Sequence, residues 1–127
     1  MIHQGTEVII GIDIGTTGTK AIAIDIEGNI LSTAYKGYKT YMRKDLWSEQ
    51  DAKDWWNAVV YCVRECTEDR NIRDAVVGIG LSSQGGSLIP VGINGEPLRD
   101  GITWMDRRAV KEREFLSDNL PKGYIYE

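Results

Sequence analysis

A run of β-branched residues that stops at a small, hydroxyl-rich turn and then resumes leaves few folds open to this chain. In Val8-Ile9-Ile10-Gly11-Ile12-Asp13-Ile14, Ile10, Ile12 and Ile14 alternate with Gly11 and Asp13. That is the period of a strand, and β-branched side chains suit a pleated backbone. After Gly15-Thr16-Thr17-Gly18-Thr19-Lys20 the alternation restarts in Lys20-Ala21-Ile22-Ala23-Ile24-Asp25-Ile26, so the turn joins two strands and opens no helix. The turn offers backbone N–H groups, three hydroxyls and one cation within six residues, an inventory suited to phosphate. Asp13, at the end of the first strand, adds a hard oxygen ligand of the kind Mg²⁺ takes. An ordinary glycine-containing hairpin accounts for the same residues. A Walker A loop does not, because it needs Ser or Thr directly after Gly-Lys, whereas Lys20 follows Thr19 and precedes Ala21.

The rest of the chain supplies partners for this hairpin. Glu27-Gly28-Asn29 is a turn signal, and Ile30 to Tyr38 is expected to return as the third strand of an antiparallel meander. Tyr35, Tyr38 and Tyr41 read as surface aromatics of an edge or loop. Asp51 can cap a helix that carries Trp55, Val59, Cys62, Val63 and Cys66 at helical spacing to about Glu68. Trp55 and Trp56 cannot form one stacking platform, because neighbours on a helix point about 100° apart; Trp55 is assigned to the core and Trp56 to its flank. Cys62 and Cys66, four apart on that helix, are assigned to core packing rather than to a disulfide or a metal site.

Arg70 to Asp74 reads as a charged connection and Ala75 to Leu81 as a buried strand, which a helical crossover places parallel to the first. Its end, Ser82-Ser83-Gln84-Gly85-Gly86, then lies at the carboxyl edge of the sheet beside Asp13, where open α/β sheets bind ligands. Gly78-x-Gly80-x-x-Ser83 is no dinucleotide fingerprint: the third glycine is missing, and an extended run, Leu88-Ile89-Pro90-Val91, follows instead of a helix. Asn94-Gly95-Glu96-Pro97 is a turn. Asp106 reads as the cap of a helix from Arg107 to Leu116, and Trp104 as core.

Composition narrows the functions. A length of 127 residues allows one domain at most. With 15 basic against 19 acidic residues and a net charge of −4, the chain lacks the basic field that nucleic acid or an anionic membrane requires, so any phosphate site is local. No run reaches the roughly 18 apolar residues of a membrane span, and Met1 to Glu7 has no cationic signal-peptide start, so a cytoplasmic location is expected. His3, the single histidine, sits at the terminus and is set aside as a catalyst. A ribonuclease H-type nuclease needs clustered acids on its first strands, and only Asp13 and Asp25 are available.

Strand, Asp-x-Gly-Thr-Thr turn and second strand resemble the first phosphate-binding hairpin of the actin-like ATPase superfamily. Three later stretches narrow the likeness: Trp47-Ser48-Glu49-Gln50-Asp51-Ala52-Lys53-Asp54-Trp55-Trp56, Gly78-Ile79-Gly80-Leu81-Ser82-Ser83-Gln84-Gly85-Gly86, and Ile102-Thr103-Trp104-Met105-Asp106-Arg107-Arg108. In this order and spacing the chain resembles the amino-terminal part of an FGGY-family carbohydrate kinase. The resemblance implies an α/β, ribonuclease H-like mixed sheet with a three-strand antiparallel meander, a crossover helix and a parallel strand. It also implies that residues 1–127 are the N-terminal part of the first kinase domain, with the second domain absent and a C-terminal remainder as partner.

The implied activity is transfer of the ATP γ-phosphoryl group to a sugar or polyol hydroxyl, with a xylulokinase-like enzyme favoured by the Trp-Ser-Glu-Gln-Asp stretch. A non-catalytic nucleotide-binding or regulatory module of the same fold is the alternative. ATP is then expected at Gly15, Thr16, Thr17, Gly18 and Lys20, and Mg²⁺ at Asp13. Gln84, Gly85, Gly86, Trp104 and Asp106 are expected to border the sugar, which turns the readings of Trp104 and Asp106 from structural to functional. The catalytic aspartate is expected beyond Glu127, so these residues alone are expected to be inactive, and the alternating Tyr124-Ile125-Tyr126-Glu127 is expected to run into a missing partner element. A homodimer is left open. One departure stands out: family members carry a polar or bulky pair after the glutamine, such as Met-His or Arg-Glu, where this chain has Gly85-Gly86. That removes side chains that would grip the substrate and implies a roomier pocket.

Overall fold

The computed structural model describes residues 5–121, 123 and 124. His3 and the end of the chain, Ile125 to Glu127, lie outside the described residues. The alternating segments form β1 (Val8–Ile14), β2 (Gly18–Asp25) and β3 (Ile30–Gly37), each antiparallel to the next. The two-residue strand β4 (Glu49–Gln50) precedes α1 (Ala52–Cys66), which begins where Asp51 accepts a hydrogen bond from the Lys53 amide. A five-residue helix α2 (Arg70–Asp74) leads into β5 (Val76–Ser83), which runs parallel to β1 and completes a four-stranded sheet of order β3-β2-β1-β5. Finally β6 (Gly101–Ile102) pairs antiparallel with β4, and α3 (Val110–Asn119) follows. The predicted meander, crossover and parallel strand are all present.

The core lies between α1 and the sheet. Val8, Ile10 and Ile12 of β1 and Ala21 and Ala23 of β2 point to the helix, where Cys62 and Cys66 meet them. The small alanines let the helix come close enough for the Cys62 thiol to donate to the Thr19 carbonyl at 3.3 Å. Burial pushes both thiols' pKa up, so they stay protonated and act as small apolar groups. Truncating Ile10, which is fully enclosed, to alanine would cost about 2–5 kcal/mol.

Three expectations are corrected. Arg70 to Asp74, read only as a charged connection, is a helical turn, which Asp69 caps by accepting from the Asn71 amide at 2.8 Å. The strand after it is not buried: Ile79 is 64% and Leu81 69% exposed, since no described element packs against that part of the sheet. The last helix starts at Val110 with no side-chain cap, so Asp106 does not cap it. Among the described residues no helix is long and apolar enough to cross a membrane.

Candidate functional site

The turn between β1 and β2 is held by its carbonyl groups. Tyr38 Oη donates to Gly15 O, Tyr35 Oη to Thr17 O at 3.2 Å, the Tyr38 amide to the same Thr17 oxygen at 3.2 Å, and Gln50 Nε2 to Thr16 O at 2.7 Å. With the carbonyl ends tethered, the Thr16 and Thr17 amides have no protein acceptor among the described residues. Amides freed in this way, in a fixed turn, can take up an anion. Tyr35 and Tyr38, read from the sequence as surface aromatics, therefore brace the turn, while Tyr41 bridges to Glu49; burial raises the pKa of the Tyr38 phenol, which keeps it a donor.

Asp13 and Lys20 face each other across β1 and β2, and Ser82 lies beside Asp13 on β5. All three line a groove of about 840 Å³ on the sheet face opposite α1. Asp13 is exposed, and among the described residues it makes no ion pair within 4.0 Å. Among the described residues no group of three or more His, Cys, Asp or Glu side chains could cage a metal. One free carboxylate beside a turn with free amides nevertheless fits Mg²⁺, which keeps several waters and binds through one or two carboxylates plus phosphate oxygens.

On its other side the turn meets the end of β5 and the segment after β6. The Trp104 indole Nε1 donates to Thr16 Oγ1 at 3.0 Å, and its backbone amide donates to Ser87 Oγ at 3.2 Å. The residue remains 55% exposed, so Trp104 is not a core residue. The Gln84 amide donates to Ile14 O at 2.8 Å, extending the β1–β5 pairing by one residue. Its side-chain Nε2 donates to Gln50 Oε1 at 3.1 Å, while its own Oε1 is buried without a partner among the described residues. Gly85 has open space where a side chain would stand. Gly86 has a φ of +70°, and a Cβ there would lie 3.4 Å from Trp104 Cβ.

Asp106 is set apart from this cluster. Its side chain is 4% exposed, and both oxygens are taken up. Oδ1 accepts from the Arg108 amide at 2.9 Å and from Arg108 Nε at 2.8 Å; Oδ2 accepts from Arg108 Nη2 at 2.6 Å and from the Ser48 amide at 2.7 Å. The Arg108 guanidinium holds the Asp106 carboxyl at a pKa of about 2. Arg108 also reaches Glu49 Oε1 at 2.8 Å and lies 3.7 Å above the centre of the Trp47 ring. Glu49 is buried and is met by Arg99 and by Arg43 as well, the latter at 3.4 Å. This ion network clamps the Trp47–Gln50 stretch to the 99–108 stretch, and the Ser48 and Thr103 hydroxyls share a 2.6 Å hydrogen bond between the two.

The roles of Gln50, Glu49, Tyr35 and Tyr38 have no local pattern in the sequence to mark them. Glu49-Gln50 directly precedes a helix cap, a place where two adjacent polar residues need no burial, yet both are buried.

Residues 8–127 match the N-terminal domain of the FGGY family of carbohydrate kinases. A xylulose kinase of Staphylococcus epidermidis is 38% identical over 103 residues, covering 80% of this chain and 21% of the relative. A glycerol kinase of Synechocystis is 33% identical over 129 residues, covering 100% and 26%. Among solved structures, a gluconate kinase from Lactobacillus acidophilus superposes with a TM-score of 0.82 at 33% identity, over 90% of this chain and 23% of that one. The chain thus spans about a fifth to a quarter of the length of the relatives it matches.

Proposed function

The chain belongs to the FGGY family of carbohydrate kinases, with their actin-like ATPase fold, and from that premise we propose that it forms the amino-terminal part of a longer, ATP-dependent sugar kinase whose acceptor is a xylulose-type ketose. The observation that carries this reading is the hydrogen bond from Trp104 to Thr16. It brings an exposed aromatic face, suited to the apolar side of a sugar ring, directly against a turn suited to phosphate.

In this arrangement the Thr16 and Thr17 amides and Lys20 hold the nucleotide phosphates, with Gly15 and Gly18 shaping the turn. Lys20 serves as a point charge, and Asp13 is the residue that would hold Mg²⁺. The chemistry such a metal would supply is neutralisation of charge on the transferring phosphoryl group. Gln84 Oε1, buried and unpartnered, accepts a hydrogen bond from an acceptor hydroxyl. Gly85 leaves that pocket wide. Asp106 acts at one remove, by fixing the segment that carries Trp104. The xylulose preference is supported by the name of the 38%-identical relative.

The test uses the full-length protein, ATP and a panel of pentuloses, hexoses, polyols and glycerol, with ADP release as the readout. A pentulose should give the highest kcat/KM, and a protein that turns over none of the panel would refute the kinase reading. Asp13→Asn should weaken ATP binding in the presence of Mg²⁺ much more than in its absence. Equal losses under both conditions would remove Asp13 from the metal.

A further inference from the structure

We propose that Gln50 is a positioning residue that ties the phosphate turn to the acceptor loop, so that the two substrates' sites are set by one buried amide. The inference rests on the sugar-kinase reading and adds to it a residue that touches neither substrate. Gln50 is 0% exposed. A glutamine amide has two donor hydrogens and two acceptor lone pairs, and here all four are engaged. Nε2 donates to Thr16 O at 2.7 Å and to Thr40 Oγ1 at 2.7 Å; Oε1 accepts from Trp55 Nε1 at 3.0 Å and from Gln84 Nε2 at 3.1 Å.

The orientation of that amide is fixed by its partners. An indole N–H can only donate and a backbone carbonyl can only accept, so Trp55 and Thr16 together exclude the flipped form. Once Gln50 is fixed, Gln84 must turn its own Nε2 inward, and its Oε1 is left as the free acceptor at the end of β5. The position of the Thr16 turn and the hydrogen-bonding sense of Gln84 therefore depend on the same side chain. Gln50 is itself held in place, by α1 through Trp55 and by the β4–β6 pairing through its backbone.

Three variants of the full-length enzyme separate the arms. Gln50→Met cuts both, and should raise KM for ATP and KM for the sugar together, each by about tenfold, the equivalent of one hydrogen bond. Gln84→Met cuts only the acceptor arm and should raise KM for the sugar while leaving KM for ATP within about twofold. Thr40→Val, which removes the one contact of Gln50's amide nitrogen outside the two loops, should change neither. A purely structural role predicts a lower melting temperature for Gln50→Met with both KM values unchanged, and that result would overturn the proposal. So would a Gln84→Met enzyme whose ATP and sugar KM values rise equally.

Amide hydrogen exchange provides a readout independent of turnover. In Gln50→Met the segments Gly15–Gly18 and Gln84–Ser87 should exchange faster together, and in Thr40→Val they should not. Faster exchange in only one segment would break the link. If the wild-type protein phosphorylated nothing, the kinase reading would fall while exchange still decided whether Gln50 couples the two loops. Should Gln50→Met not fold, Gln84→Met by kinetics and Gln50→Glu by exchange carry the test; Gln50→Glu keeps the acceptor for Trp55 and Gln84 but loses the donor to Thr16, so only Gly15–Gly18 should speed up.

Discussion

At Gly18 the hairpin leaves no room for a methyl group. A Cβ there would sit 2.7 Å from Lys36 O and 2.6 Å from Tyr35 Oη, and the first of these is backbone that cannot step aside. Gly18→Ala should therefore cost about 1–3 kcal/mol by overpacking and should dislodge the Tyr35 brace from Thr17, weakening ATP binding. Thermal melting and ATP titration would check both, and undiminished ATP affinity would show that the turn tolerates displacement. The two glycines after Gln84 differ in a way no sequence pattern reveals. Gly86 is at positive φ beside Trp104 and Gly85 is not, so Gly85→Met should change sugar preference at little cost in stability. Gly86→His should cost about 1–2 kcal/mol in backbone strain and disturb Trp104. The reverse ranking in melting temperature would contradict the backbone argument. Asp51 was legible as a cap because its partner is two residues away. Gln50 and Tyr38 were not, because their partners lie 34 and 23 residues distant.

Among the elements, β4 and β6 are only two residues each, too short for their own hydrogen bonds to hold a segment in place. The buried ion network does that work. Glu49 out of water would be costly if unpaired; Arg99, Arg108 and Arg43 all meet it, so removing Glu49 itself, which leaves three guanidinium groups around an empty site, costs more than removing any one of the arginines. Asp106 is the member with a predictable pH signature. Its pKa falls from 3.8 to about 2, chiefly through its hydrogen bonds with Arg108, so the fold favours the ionised form. Its contribution, on the order of 2 kcal/mol, is complete above pH about 4 and is lost as pH falls toward 2. Urea midpoints measured from pH 7 down to 2 should show that decline, and Asp106→Asn should be less stable at pH 7 and flatter below pH 4. A parallel decline in the variant would assign the acid sensitivity elsewhere. The sequence suggested a helix cap for Asp106 because an Asp before a charged stretch looks like one; it binds Arg108 instead, and the Ser48 amide that completes its set of partners is 58 residues away.

For the molecule as a whole, strand order was readable because each connection allows few answers: two tight turns give a meander, and a helix between strands gives a parallel neighbour. Burial of β5 was not readable. An apolar run states what a strand can bury, and only its surroundings decide whether it does. The same division applies to catalysis. The described residues gather a turn with two free amides, an unpaired carboxylate and an exposed tryptophan, but the phosphoryl transfer proposed above also needs a carboxylate placed to take the attacking hydroxyl's proton. Asp106 is the acid nearest to that task in sequence, and it is unfit. A base works best with a pKa near the operating pH, whereas this one is held at about 2 with both oxygens bound to Arg108 and Ser48. Residues 1–127 expressed alone should thus show no sugar-dependent ADP release, and in the full-length enzyme Asp106→Asn should retain most of kcat while stability at neutral pH drops. Turnover by the isolated 127 residues that disappears in Asp106→Asn would reverse this assignment, because it would require Asp106 to leave its arginine and serve as the base.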